Sequence, residues 1–408
     1  MFRSVKICDD ISWIGVNDFQ KERFENYIPI PNGVSYNSYI IRDEKICVID
    51  AVEINTAITF MDKLHEALGG RKPDYFVVNH VEPDHSSGLK ELVRYYPDMK
   101  IIGNAKSLPM LKALAHNFPE ENFITIKEGD EIDLGKHKLT FAMIPMVHWP
   151  ESMVTYDKTS GILFSNDAFG GFGALSGGIF DDEVDLTFYK SEMRKYYSNI
   201  VGKYGAQVVM AIKKLGALDI KMICPAHGIL WRRDVPGIVR IYEKWAKFEP
   251  ETKGVVIVYG SMYGNTAQMA EVIGTQLRES GITDIRIYDS SKVDSTDIVS
   301  RIWKYQGLIL GSCAHNTTAY PKLVPILHKL KNYGLKNRFV GIFGSMMWSG
   351  GGVRAIQEFV DSLPGLTLVA PPVEAHGSPK EEDIAKLKQI AISMAEHLNG
   401  TETSQMKS

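Results

Sequence analysis

The segment DYFVVNHVEPDHSSG places His80, Glu82, Asp84 and His85 within six residues at the mouth of an apolar run. Two imidazoles and two carboxylates at alternate and adjacent positions can aim at two metal ions from one turn, which no ordinary helix or strand surface requires. Three further apolar runs end in a metal-competent side chain: KLTFAMIPMVH at His148, GILFSND at Asp167 and KMICPAH at His227. If these strands share a sheet, their ends converge at one rim, where a rigid scaffold can carry a site. A solvated loop and isolated packed histidines are the bland alternative, and the recurrence of the pattern argues against it. His65, His116, His137, His315, His328, His376 and His397 have no neighbouring ligands and carry no metal role.

A second constellation lies in the C-terminal half. GVVIVYGSMYGNTAQMAEVIG reads as a buried strand, a tight loop and an amphipathic helix with Thr266, Met269, Ala270, Ile273 and Leu277 on one face. The loop Ser261, Met262, Tyr263, Gly264, Asn265, Thr266 offers successive backbone N–H groups and hydroxyls at a helix start, a nest suited to a phosphate dianion. Two more loops follow apolar runs of the same region, one with Ser312, Cys313, Ala314, His315, Asn316 and Thr317, the other with Ser345, Met346, Met347, Trp348, Ser349 and Gly350. In an open α/β sheet such loops edge the ligand crevice. Trp348, beside three glycines, can lay its ring on a flavin isoalloxazine.

These residues need scaffolds. A chain of 408 residues exceeds what one core organises, since cores stop growing near about 250–300 residues, so two domains are expected. Residues 1–250 carry short β-rich runs at 35–42, 45–50, 74–79, 100–103, 138–144 and 161–165, with helical patterns near 55–68, 86–96, 106–117 and 184–217. Paired strands mixed with strand–helix alternation suggest sandwiched sheets with helices outside. The stretch GGFGALSGG lacks a dinucleotide fingerprint and reads as a flexible lip beside Asp167. FEPETKG reads as the linker. Residues 254–397 then alternate strictly, with apolar runs at 255–260, 284–288, 307–311, 338–344 and 366–369, each followed by a helical pattern, which implies a doubly wound parallel sheet. Residues 398–408 are polar and read as a frayed tail.

Composition excludes several classes. Lys+Arg 46 against Asp+Glu 49 gives net −3, which supplies no field for gripping nucleic acid or an anionic bilayer. The four cysteines, Cys8, Cys47, Cys224 and Cys313, form no C-x-x-C and read as reduced thiols. No signal peptide or membrane span is apparent, so a cytoplasmic location is expected.

His80-x-Glu82-x-Asp84-His85 with His148, Asp167 and His227 resembles the metallo-β-lactamase superfamily, whose hydrolases usually carry histidine where Glu82 stands. A carboxylate there favours an oxygen-loving, redox-active ion, so iron is expected and not zinc. Asp167 is the natural bridge, with His80, Glu82 and His148 on one iron and Asp84, His85 and His227 on the other. Residues 254–397 resemble a flavodoxin. The combination, an N-terminal αββα sandwich and a C-terminal flavodoxin-like domain, resembles the flavodiiron proteins (A-type flavoproteins) over nearly the whole chain. That resemblance implies FMN, two iron ions, and reduction of O2 to water, of NO to N2O, or both. FMN and a diferrous pair together hold the four electrons that O2 needs. No rubredoxin or flavin reductase module follows, so an external donor is expected, a rubredoxin by resemblance, with a deazaflavin-type cofactor or a separate NADH-linked reductase chain left open. The resemblance also implies a head-to-tail homodimer, each FMN facing the partner's irons, with dimers of dimers left open. The sequence does not rank O2 against NO. A metal-dependent hydrolase with an attached flavodoxin module is the rival reading, and an electron carrier with a vestigial N-terminal scaffold is a second.

Overall fold

A computed structural model describes residues 3–405, which fall into two compact units, Met1–Glu243 and Lys244–Ser408. The division lies within the helix Val235–Ala246, earlier than the FEPETKG segment suggested, and the strand Thr252–Gly260 already starts inside that segment. The reason is packing: the Phe248 ring lies 5.1 Å from that of Trp303, whose Nε1 donates to the Trp245 carbonyl at 3.3 Å, so the helix end belongs to the second unit.

Unit 1 holds two main sheets. The seven-stranded sheet runs Val5–Lys6, Ile11–Trp13, Tyr39–Arg42, Ile46–Ile49, Tyr75–Val77, Lys100–Asn104, Phe123–Ile126. Ile46–Ile49 is buried at every position, as a central strand must be, pairing antiparallel with Tyr39–Arg42 and parallel with Tyr75–Val77. The five-stranded sheet runs Glu131–Asp133, Lys138–Met143, Met153–Asp157, Ile162–Asn166, Met222–Pro225. The runs leading to the candidate ligands therefore do not share one sheet. His80 follows a strand of the first, whereas His148, Asp167 and His227 follow strands of the second. Asn79 ties the sheets together: it donates to Asp50 through its backbone N–H (2.7 Å) and Nδ2 (3.0 Å), and its Oδ1 accepts from Thr155 Oγ1 at 2.7 Å.

The helix expected over 184–217 is three pieces. Leu186–Tyr196, capped by Asp185, widens into π-turns at Tyr197–Val201, tightens at Gly202–Tyr204 and resumes as Gly205–Leu215. Such π segments gather at functional sites, and here the break presents Tyr196 to His227, ring centroids 5.5 Å apart. GGFGALSGG is no flexible lip: residues 170–175 are buried, and the Gly171 N–H donates to the His227 carbonyl at 3.3 Å.

Unit 2 is a parallel sheet in the order Ile285–Asp289, Thr252–Gly260, Tyr305–Cys313, Arg338–Met346, Leu366–Leu368, with Val373–His376 also pairing on Arg338–Met346. This 2-1-3-4-5 order is that of flavodoxin-like folds. Helices Asn265–Glu279 and Glu381–Gln405 cover one face through Met269, Ile273, Leu277, Leu387, Ile390 and Met394. The last helix thus continues to Gln405 where a tail was expected from 398, and that reading's last three residues lie outside the described residues. No described helix is long and apolar enough to cross a membrane.

Candidate functional site

The loop after Tyr75–Val77 is fixed before it offers any ligand. Ala51 N–H donates to the His85 carbonyl at 2.8 Å, Gly88 N–H to the Val52 carbonyl at 2.9 Å, and Ser86 Oγ to the Val81 carbonyl at 2.7 Å. So held, the loop turns its side chains toward those that follow the second sheet's strands. All seven sequence-derived candidates come together in two clusters: His80, Glu82, His148 and Asp167, and beside them Asp84, His85 and His227. Asp167 touches both. Its Oδ2 lies 3.3 Å from His80 Nε2 and 3.2 Å from His148 Nε2, while its Oδ1 lies 3.0 Å from His85 Nε2 and 3.5 Å from His227 Nε2. Glu82 Oε2 sits 3.2 Å from His80 Nε2 and 3.0 Å from His148 Nε2, and Asp84 Oδ2 sits 3.2 Å from His227 Nε2.

Burial sharpens the arrangement. His80, Asp167 and His227 are wholly buried, and Glu82 keeps 12% of its side chain in solvent at the mouth. Burial alone would strip the proton from His80, but Asp167, Glu151 and Glu82 outweigh it and raise its pKa to about 10. Burial is likewise overcome at His148, raised to about 10 beside Asp167 and Glu82, and at His85, raised to about 9 beside Asp84 and Asp167. Burial pushes the other way on the carboxyls, yet His148 and His80 hold Glu82, and His85 and His80 hold Asp167, well below the usual carboxylate range.

Both carboxylate oxygens of Asp84 and of Asp167, and the Nε2 atoms of His85 and His227, are buried without a hydrogen-bond partner. Native proteins seldom leave buried polar atoms so, and convergent carboxylates and imidazole lone pairs are what a pair of cations satisfies. The residues therefore fit a two-metal group. The outer nitrogens are committed: His80 Nδ1 pairs with Glu151 Oε1 at 2.7 Å, and His227 Nδ1 donates to the Ser35 carbonyl at 2.8 Å, which turns each Nε2 inward. Sequence reasoning missed Glu151 and Ser35. Glu151 stands three residues after His148 in HWPES, a carboxylate beside a candidate ligand, and that was the available signal.

In unit 2 the loops after Gly260, Cys313 and Met346 lie side by side because their strands are adjacent and in register, Gly260 opposite Ser312 and Cys313 opposite Ser345. They enclose a cavity of about 480 Å³, lined by Ser261, Met262, Tyr263, Asn265, Cys313, Ala314, His315, Asn316, Thr317, Ser345, Met346, Met347, Trp348 and Ser349, with Gly377, which sequence reasoning did not single out. Four expected residues do not line it. Gly264 (φ 93°) caps the helix start, its N–H donating to Ser261 Oγ at 3.1 Å. Thr266 lies beneath, its Oγ1 2.9 Å from Ser345 Oγ; Ser312 Oγ is buried and accepts from the Tyr320 N–H at 2.8 Å; Gly350 packs toward Glu374. Gly351 (φ 128°) is obligatory, since a Cβ there would fall 2.1 Å from the Thr317 carbonyl oxygen. Trp348 and Tyr263 stand 92% and 88% exposed at the rim, plates with no side-chain cover. No lysine or arginine lines the cavity, so a phosphate there would rely on the helix start and hydroxyls. Size, aromatic rim and neutral anion nest fit FMN.

Two family profiles match the chain: the ODP family beta lactamase over residues 34–228 and flavodoxin over residues 257–389. Among curated relatives, an anaerobic nitric oxide reductase flavorubredoxin of Escherichia coli is 34% identical over 356 residues, covering 86% of this chain and 74% of the relative. Among solved structures, rubredoxin oxygen:oxidoreductase from the anaerobe Desulfovibrio gigas superposes with a TM-score of 0.91 at 30% identity, covering 97% of this chain and 99% of that one. A flavodiiron protein from Giardia intestinalis gives a TM-score of 0.90 at 27% identity, covering 97% of each.

Proposed function

Because the chain belongs to the flavodiiron protein family, we propose that it is an oxidoreductase that reduces NO to N2O, O2 to water, or both, with electrons from an external donor relayed through FMN to a pair of irons. The observation that carries the reading is Asp167, whose two oxygens face separate imidazole pairs within one buried cluster. His80, Glu82, His148 and Asp167 Oδ2 would hold one iron, and Asp84, His85, His227 and Asp167 Oδ1 the other. When bound, FMN supplies single-electron transfer and the iron pair supplies gas binding and reduction.

The chain's own part is positional. Glu151 and Ser35 orient His80 and His227, and Glu82, the partly exposed ligand, stands where a small gas would enter. In unit 2 the helix start at Asn265 would take the phosphate, and Trp348 with Tyr263 would flank the isoalloxazine. The hydrolase reading finds no support among the relatives named, which include a nitric oxide reductase and an oxygen:oxidoreductase.

We further infer that the donor is a rubredoxin and that two chains pair head to tail, each flavin facing the partner's metal centre. The flavodiiron resemblance supports both. Rescue of activity on mixing a flavin-dead with an iron-dead subunit is expected, and its absence in verified heterodimers would refute the pairing. The function itself is tested by reducing purified protein anaerobically and following O2 and NO consumption, with iron and flavin quantified in the same sample. Two zinc ions per chain with thioester or phosphodiester cleavage would overturn the reading, as would full flavin with no metal.

A further inference from the structure

The chain is net −3 overall, yet its charge is unevenly spread: from Ile298 to Gln357 there is no carboxylate side chain, against eight lysines and arginines. That stretch supplies two of the three loops around the flavin cavity, those with Cys313 and Met346. Beside them, between the helices Val324–Tyr333 and Gly352–Asp361, lies a surface groove of about 220 Å³. Helical spacing puts Val324, Leu327, His328 and Lys331 along one wall and Ala355, Glu358 and Phe359 along the other. Its floor is apolar, with Val324 43% exposed above the buried Leu327 and Phe359. Its rim is basic. Lys322, His328 and Lys331 are exposed, and the groove's one carboxylate, Glu358, has Arg354 Nε 3.9 Å away. The turn His315–Thr318 is the wall shared with the flavin cavity: Thr318 lines the groove, whereas His315, Asn316 and Thr317 line the cavity. That turn is held firmly. The N–H groups of His315 and Thr318 each donate to the other's carbonyl at 3.0 Å, and Arg354 Nη2 donates to the Thr317 carbonyl at 3.3 Å.

We propose that this groove is where the electron donor lands, and that the donor is a small one-electron carrier protein presenting an apolar side chain ringed by carboxylates. The inference rests on the reductase reading above and adds the place and the charge of the partner. Charge complementarity selects the occupant, because a carboxylate-free stretch in a chain of net negative charge draws an acidic protein to this face and not to the others. Such steering raises encounter rates by about 10–10³-fold and fades with salt. A nucleic acid would use the lysines and leave the Val324 floor idle, so a protein fits better. Once landed, the carrier is separated from the flavin cavity by the His315–Thr318 turn alone. Each visit oxidises one carrier by one electron and delivers that electron to the flavin, with no group transferred.

The test uses the holoprotein with a rubredoxin of net negative charge as the probe. Wild type is compared with the double variant Lys322→Glu, Lys331→Glu and with Val324→Asp. A second double variant, Lys386→Glu, Lys388→Glu on the last helix, makes the same charge change on exposed residues elsewhere. Anaerobic stopped-flow follows flavin reduction by the reduced carrier, photoreduction follows the flavin without a carrier, calorimetry gives the Kd of the oxidised carrier, and light scattering gives the assembly state. In both groove variants, carrier-driven reduction should slow and binding weaken by about tenfold or more at low salt, while photoreduction stays unchanged. The deficit of the lysine variant should shrink as salt rises, and the last-helix variant should stay near wild type. Wild-type rates and affinity in both groove variants would overturn the proposal, as would an equal loss in the last-helix variant or no reduction of wild-type flavin by the carrier. A changed assembly state in the groove variants would give the face to a second copy of this chain and overturn it too. Should a variant lose flavin, its carrier affinity still decides. If wild type reduces neither gas, the reductase reading falls alone, since carrier binding and flavin reduction are read without either gas.

Discussion

Glu151 offers the cleanest separation of charge from geometry at the metal centre. It is buried, its Oε1 pairs with His80 Nδ1 at 2.7 Å and accepts from the Val81 N–H at 3.0 Å, and His80 in turn holds its carboxyl below the ordinary range against the effect of burial. Glu151→Gln leaves an oxygen where Oε1 stands but removes the charge that makes His80 a stronger donor to metal. Glu151→Ala also frees the ring to turn and leaves the Val81 N–H without an acceptor, at a cost of about 1–3 kcal/mol. Losing such an outer partner costs about 10–100-fold in metal affinity, or about 1.4–2.7 kcal/mol. The assay is iron retained after timed exposure to a chelator, with thermal melting of the metal-free protein in parallel. Wild type should hold iron best, Glu151→Gln less well and Glu151→Ala least, and without metal both variants should melt earlier than wild type, the alanine variant earliest, since each leaves the charged His80 ring without its buried partner. Equal iron retention in all three would refute the claim that this carboxylate orients His80.

Metal uptake should be coupled to protons. With His80, His148 and His85 carrying protons near neutrality in the metal-free site, adding ferrous iron anaerobically at about pH 7.5 should release about three protons per chain, read with a pH indicator, and iron retention should weaken as pH falls. Gly351→Ala should lower the flavin-to-protein ratio, because a Cβ 2.1 Å from the Thr317 carbonyl must displace the turn lining the cavity; full flavin content would contradict this. His137 lies between Asp157 (2.8 Å) and Asp10 (3.2 Å), and its hydrogen bond to Asp157, opposed by burial, raises its pKa from 6.5. Its stabilisation is therefore complete below that ordinary value and is lost as pH rises through the raised one. His137→Gln should cost most melting temperature near about pH 6 and little near about pH 9; a pH-independent deficit would show a packing role alone.

The candidate metal cluster was legible because each of its side chains has a distinctive chemical type at the end of an apolar run, and the loops lining the unit 2 cavity because a parallel sheet announces its loops through strict alternation. What remained hidden was long-range or short-lived along the chain. Glu151 reaches His80 across 71 residues, so its place just after His148 hints at the site but cannot name its partner. The strands Val5–Lys6, Ile11–Trp13 and Val16–Asp18 have two or three residues each, too few for a periodicity. The interruption at Tyr197–Val201 sits in a stretch whose apolar spacing suits a continuous helix, and the packing of Tyr196 on His227 and of Tyr197 on Tyr242, centroids 4.8 Å apart, accompanies it. Assigning the candidate ligands to two sheets needed the pairing itself, since a strand's sequence does not name its neighbour.

The shared carboxylate of Asp167 has a consequence for how molecules fill when iron is scarce. If Asp167 serves both ions, whichever arrives first would fix that side chain with its other oxygen facing the second position, so the second would bind more readily than the first. A population starved of iron should then divide into fully charged and empty molecules, with few in between. Average iron per chain would report the fraction of working enzymes and not a uniform half-competence.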